Sequence, residues 1–318
     1  MNNRKRLGGA ASTTMRDRLA AWRELLALCG RKATRKRVHA LRVVTLRMQA
    51  ELERDLAELP HASHQAQAIL RFSKQAEKLR QALSPVRELD VWIGKLRKLR
   101  ASLSETGAYV PRSMQESIRG IDRLEARLKK KRTNAEKKLL SAIEKRGGHL
   151  VQASEDVDKS LSDSVLGADA AIAAELISRF RAVRAEFPTF DEENLHDFRK
   201  RIKTVRYLAE LHAGADRACA QVAQQVKKMQ SAIGEWHDWQ ELGREALHGR
   251  HAKNKPLAEL LSSVTAESFE SAIATIDNIS ARMLGESMTP ARALHDEPSK
   301  PPARSEQIYN TDLDKKLA

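Results

Sequence analysis

Two stretches of the chain carry side chains suited to holding an anion. VHALRVVTLRMQ begins at Val38 and LHDFRKRIKTVR at Leu195, and both set an apolar residue, then His, two residues, then Arg. Helical spacing of ~100° per residue gathers His196, Arg199, Lys200, Lys203 and Arg206 within an arc of about 120°, opposite Phe198, Ile202, Val205 and Ala209. One face suits a core and the other an anion. The first stretch repeats the scheme, with Arg35, Lys36, His39 and Arg42 on one side and Val38, Leu41, Met48 and Leu52 on the other. Arg47 stands at the margin of that basic face, and Leu46 interrupts it.

Basic helix faces are often only solvated, with acids at i,i+4 to pair them. Here, from Arg31 through Arg47, there are seven basic side chains and no acidic one. Such a face repels itself by a few tenths of a kcal/mol per like pair unless something neutralises it. Its recurrence in two places favours a binding role. The same recurrence argues for His39 and His196 as ligand contacts, although a lone histidine is usually a satisfied structural residue.

The whole chain leans the same way. Its 318 residues hold 57 basic and 42 acidic side chains, a formal charge of +15 and a pI near 9.9. A polyanion is the expected partner: nucleic acid, an anionic surface or a phosphate compound. Aromatic residues are 4% of the chain, which weighs against platforms on which single-stranded bases stack. Apolar residues at 41% suffice for a core, and a mean hydropathy of −0.54 describes a charged surface. No window approaches the ~20 apolar residues of a membrane span, and the basic start MNNRKRLGGAASTT has no apolar stretch behind it. A cytoplasmic protein without membrane contact is the expectation. Cys29 and Cys219 lack ligand or disulfide spacing and read as core fillers.

The elements that must position these faces read as helices. Pro60, Pro85, Pro111, Pro188 and Pro256 separate stretches with apolar residues three and four apart. The resulting segments are 14–29, 34–58, 63–83, 86–104 and 112–147, then 168–186, 192–212, 215–234, 236–249 and 256–284. No stretch reads as strand. The fold class is all-α. LSPVREL from Leu83 and IGEWHDW from Ile233 read as polar turns, and they align with Glu88 opposite Asp238 and Lys78 opposite Lys228. A match at the motif, the next helix and the next turn suggests a duplicated unit and two similar antiparallel bundles of four to five helices. The expected layout is a basic N-terminus (1–12), a first helical repeat (13–147), a linker rich in Ser, Asp and Gly (148–167), a second repeat (168–286) and a disordered tail (287–318).

The pattern HxxRxxxxR of His39, Arg42 and Arg47 resembles the CHAD family of conserved-histidine α-helical domains. So does HDxRKxIKxxRY, formed by His196, Asp197, Arg199, Lys200, Ile202, Lys203, Arg206 and Tyr207. The resemblance runs from about Thr13 to Gly285 and includes the segments around Arg87–Asp90 and Gly234–Asp238. Family members often carry further arginines in the first motif, where this chain has Leu46 and Gln49. The resemblance implies two bundles related by an approximate two-fold axis, with long helices lining a shared basic cavity. It also implies binding of inorganic polyphosphate and, in bacteria, targeting to polyphosphate granules. In that picture Arg42, Arg199 and Arg206 offer forked hydrogen bonds, Lys200 and Lys203 act as point charges, and His39 and His196 each donate one ring nitrogen. Tyr207 donates its hydroxyl or packs. Lys74 and Lys78, on one helix face with Arg71, and Lys228 widen the surface. Lys129, Lys130, Lys131, Arg132, Lys137 and Lys138 crowd the long helix before the linker, largely as solvated charge.

Phosphate binding raises the question of catalysis. The chain has no GxxxxGK[ST] loop, no HRD or DFG arrangement and no ExExK strand motif. Glu88, Asp90 and Asp238 read as capping or dipole partners rather than cation ligands. The expectation is a non-catalytic module that needs no cofactor or metal. Nucleic-acid binding is the alternative, and a phosphate-transferring or polyphosphate-cleaving enzyme ranks below it.

Overall fold

The computed structural model describes residues 14–60, 62–104, 111–161, 172–214, 216–248 and 254–285. The expected basic N-terminus 1–12 and tail 287–318 lie outside them. All regular structure among the described residues is helical: α1 (Met15–Arg31), α2 (Arg35–Glu58), α3 (His64–Ser104), α4 (Arg112–Ser160), α5 (Ile172–Ala185), α6 (Asn194–His212), α7 (Arg217–Leu247) and α8 (Lys255–Leu284). Short polar side chains start several of them. Thr14 and Asp17 form a reciprocal capping box on α1, while Thr34, Asp216 and Asn254 accept from the first free backbone N–H groups of α2, α7 and α8. Gly285, at φ 72°, ends α8 in the left-handed conformation that glycine tolerates.

Each set of four helices buries its own apolar stripe. Leu19, Trp22 and Leu26 of α1 meet Val38, Leu41, Met48 and Leu52 of α2, with Phe72, Leu83, Leu139 and Val157 from α3 and α4. In the second set Phe180, Phe198, Ile202, Val205, Val226, Ile233, Trp236 and Ile276 do the same for α5 to α8. A third cluster joins the two: Leu89, Ile93 and Leu96 of α3 and Ile121, Leu124 and Leu128 of α4 pack with Trp239 and Leu242 of α7 and Leu257 and Leu261 of α8. Helices α2 and α6, α3 and α7, and α4 and α8 meet across this seam. Cys29 and Cys219 are buried free thiols, and burial pushes both up to about 11, which leaves them inert packing groups.

Three expected breaks are absent. Helix α3 runs through Pro85: the residue is exposed, so water can take the carbonyl that its missing N–H leaves free, and the Ser84 hydroxyl donates to the Arg80 carbonyl at 3.0 Å. Helix α4 continues past Gly147 and Gly148 to Ser160, so 148–160 of the expected linker is helical. Leu150, Ala153 and Val157 extend its buried stripe, and that packing outweighs about 1 kcal/mol of unfavourable propensity per glycine. Residues 162–171 lie outside the described residues. Helix α7 likewise passes straight through Gly234–Asp238. The acids Glu88, Asp90 and Asp238 therefore sit inside helices and cap nothing.

Candidate functional site

Where α2 meets α6, with α3 alongside, the structure concentrates cations. Burial of Val38, Leu41 and Met48 turns Arg42 to the flank of α2; burial of Phe198, Ile202 and Val205 does the same for Arg199, Lys203 and Arg206 on α6. Arg42, Arg199 and Lys203 are half-buried, as is Arg80 of α3. None of these four side chains has a hydrogen bond or an ion pair among the described residues, and Nε of Arg199 is buried without a partner. Their mutual proximity shows in their electrostatics. Burial, then the charges of Arg199, Arg42, Arg80 and Arg206, push the Lys203 ammonium down to about 8. Burial, then Arg87 and Arg80, lower Arg42; burial lowers Arg199, opposed most by the charge of Asp238. Gly234 makes room for this last side chain, since a Cβ there would lie 3.2 Å from the Arg199 Nη2.

Acids lie at the borders of the cluster. Arg87 donates to Asp238 at 3.2 Å, tying α3 to α7. At the other border one carboxylate serves two arginines: Arg206 Nε donates to Glu210 at 2.8 Å, and Arg47 Nε lies 3.3 Å from the second Glu210 oxygen. Arg206 also donates to the Gln230 side chain at 2.8 Å and lies over the Tyr207 ring at 5.3 Å. Both Arg206 and Arg47 are thus occupied. Burial pushes the Tyr207 hydroxyl up. The histidines flank the cluster and are held below their ordinary value: His39 by burial and then Arg87, Arg42 and Arg35, His196 by burial and then His237, Lys200 and Arg199. His196 lies 4.9 Å from His237, and its Nδ1 is buried without a partner.

The other sequence candidates lie apart. Lys200 is exposed and donates to Asp197 at 2.9 Å. Arg35 lies along Gly94, 3.2 Å from where a Cβ would stand. Lys36, Lys74 and Lys228 are exposed and Lys78 is half-buried, and none is among the main charges acting on Lys203. On the long helix, Arg132 is engaged by Asp90 at 3.1 Å and by the Ala33 carbonyl, and Lys131 by Glu245.

Arg80 and Arg87 are the residues that motif reading missed. A signal for Arg80 was present. The register that sets His39 on His196 puts Gln49 opposite Arg206, and the one that sets Lys78 on Lys228 puts Arg80 opposite Gln230. The arginine and glutamine have exchanged helices, so the charge absent from α2 at Gln49 stands on α3.

An all-helical two-bundle fold with facing basic helices is thus what the sequence builds. The CHAD domain model matches residues 10–248, three quarters of the chain, and the chain belongs to that family. The fold is similar to that of PptA from Streptomyces chartreusis, with a TM-score of 0.55 and 15% identity over 87% of this chain and 98% of that one. No curated protein matches the sequence. Among the described residues no helix is long and apolar enough to cross a membrane, and no three His, Cys, Asp or Glu side chains group as metal ligands.

Proposed function

We propose that the chain binds inorganic polyphosphate, without transforming it, on the surface where α2, α3 and α6 meet. The observation that carries this reading is the convergence of Arg42, Arg80, Arg199 and Lys203 from three helices, with no acid hydrogen-bonded or ion-paired to any of the four among the described residues. Crowded cations that the fold leaves unpaired cost stability, and a bound polyanion recovers it. A phosphate chain presents oxygens to guanidinium forks and needs no aromatic platform. Among the described residues, Trp22, Trp236, Phe72, Phe180 and Phe198 are fully buried in the cores, while Tyr207 lies under the Arg206 guanidinium. Family membership supports the same ligand class.

Duplication of one helical unit supports a further part of the reading, in which the paired faces line a common basic cavity. His39 and His196 stand at its flanks and become charged when the anion's field reaches them. The outer lysines Lys36, Lys74, Lys78, Lys200 and Lys228 guide the ligand electrostatically rather than hold it. We place the protein at polyphosphate granules in the cytoplasm, which a fluorescent fusion viewed against a polyphosphate stain tests directly.

Gel shift or calorimetry of the folded protein with polyphosphate at moderate salt tests the binding. Saturable binding is expected, with chain length unchanged after long incubation with magnesium and excess protein. Absence of binding removes the proposal, and shortening of the chain replaces the non-catalytic reading with an enzymatic one.

A further inference from the structure

The cations of α4 fall into two sets. One is paired: Arg127 and Lys131 with Glu245 at 2.6 and 2.7 Å, Lys129 with Glu125 at 2.8 Å and Arg132 with Asp90 at 3.1 Å. The other is not. Arg119, Arg123, Lys130 and Lys137 are exposed and have no ion pair among the described residues; their one side-chain hydrogen bond runs from the Arg123 Nε to the Arg119 carbonyl at 3.1 Å. Steps of 4, 7 and 7 residues at ~100° each set the four within an arc of about 40°, in a straight row about 27 Å long. The exposed residues between them, Ala126, Thr133 and Asn134, are small and uncharged, and Asp122 beside the row is held by Arg100 at 2.7 Å.

The architecture does not impose this row. Helix α8 holds the same last place in the second set of four, yet from Pro256 to Ala281 it has no Lys or Arg, and Glu259, Glu267 and Glu270 are exposed on it. The row also stands apart from the cluster described above, since α4 packs on α1, α3 and α8 while the cluster lies between α2, α3 and α6.

We infer that the outer face of α4 docks double-stranded nucleic acid, held by its phosphates without regard to sequence. A duplex carries one charge per ~1.7 Å of its axis and stays straight over many times the length of the row. A rigid line of cations therefore meets a rigid line of phosphates with only the side chains to order. A flexible phosphate chain would first have to be straightened along the helix. Single strands find no ring on the row to stack against, and an anionic membrane finds no apolar side chain larger than Ala126 to anchor in it. This inference does not rest on polyphosphate as the ligand of the junction.

Fluorescence anisotropy of a labelled duplex of about 30 base pairs, titrated with the full chain at about 50 to 200 mM salt, tests the docking. Four phosphate contacts predict that log affinity falls with log salt at a slope of about −3 to −4. The Arg119→Gln, Arg123→Gln, Lys130→Gln, Lys137→Gln variant should lose at least about tenfold at the lowest salt, while Lys36→Gln, Lys74→Gln, Lys200→Gln, Lys228→Gln, which removes the same charge elsewhere, should lose less than about threefold. Should the first variant misfold, Lys130→Gln with Lys137→Gln alone gives the same reading with a smaller loss. Absence of duplex binding, equal losses from the two variants, or equal affinity for a single strand would overturn the inference. So would a native dimer in sedimentation that the row variant dissolves, because the face would then belong to a second copy. In parallel titrations the row variant should keep its polyphosphate affinity. If it loses polyphosphate and duplex alike, the row is part of the polyphosphate surface and the inference falls; if the native chain binds duplex through the row but no polyphosphate, the inference stands and the polyphosphate reading falls.

Discussion

Arg47 and Arg206 show why residue type and spacing cannot by themselves name a ligand contact. Both carry the motif, yet Glu210 occupies both, while Arg80, outside the motif, is free. The two faces and most of the central cations were legible because each face lies on one helix. The Glu210 pairing with Arg47 and the arrival of Arg80 from α3 depend on how separate helices meet, which one-helix spacing does not record. Sequence reasoning assigns a larger loss to Arg199→Ala or Lys203→Ala than to Arg47→Ala because the second motif is fuller. Pairing gives the same order another cause: if polyphosphate binds at this junction, free cations hold it and paired ones do not, so Arg42→Ala should cost as much as Arg199→Ala, about tenfold each in polyphosphate affinity. Glu210→Gln should tighten binding several-fold by releasing both arginines. A titration cycle checks this: Arg47→Ala should be nearly silent in the native chain and costly in the Glu210→Gln background. Lys203 adds a pH signature. Its folded value of about 8 lies below the unfolded value near 10.4, so between these the unfolded chain binds more protons and stability of the free protein rises with pH. A bound anion restores the charge. Binding should therefore take up protons and weaken as pH rises above about 8, which calorimetry in buffers of differing ionisation heat reads directly.

At the scale of elements, periodicity located each helix among the described residues but placed breaks where proline and glycine stood. Pro85, Gly147 and Gly148 sit inside α3 and α4, since Pro85 and Gly148 are exposed, Gly147 is only half-buried, and the buried stripe continues on both sides. Gly234 has a different reason to be there, because the Arg199 guanidinium lies against it. Gly234→Ala should raise helix stability by about 0.5–1 kcal/mol while displacing Arg199 and lowering polyphosphate affinity. Thermal melts and titrations moving in opposite directions would bear this out; a melt and an affinity that rise together would not. The cross-seam pairs Arg87 with Asp238 and Arg47 with Glu210 have a matching role, since they hold α3 to α7 and α2 to α6 so that the unpaired cations face one another.

For the molecule as a whole, a charge of +15 read from the sequence is compatible with any polyanion and could be spread evenly. Folding makes it local. Much of the basic excess, including the lysines of α4, remains on the outer surface or in ion pairs, while four half-buried cations without a partner, Arg42, Arg80, Arg199 and Lys203, meet at the junction of the two bundles. Whether this junction selects a phosphate chain over other polyanions is decided by a competition titration. Long polyphosphate is titrated at several salt concentrations, with and without DNA at equal charge, against the native chain and the Arg42→Gln, Arg199→Gln, Lys203→Gln triple variant. Log-linear weakening with salt, polyphosphate binding that survives DNA, and a loss of about a hundredfold or more in the triple variant with helicity intact are expected. Undiminished binding by that folded variant, or displacement of polyphosphate by DNA at equal charge, would contradict such selection.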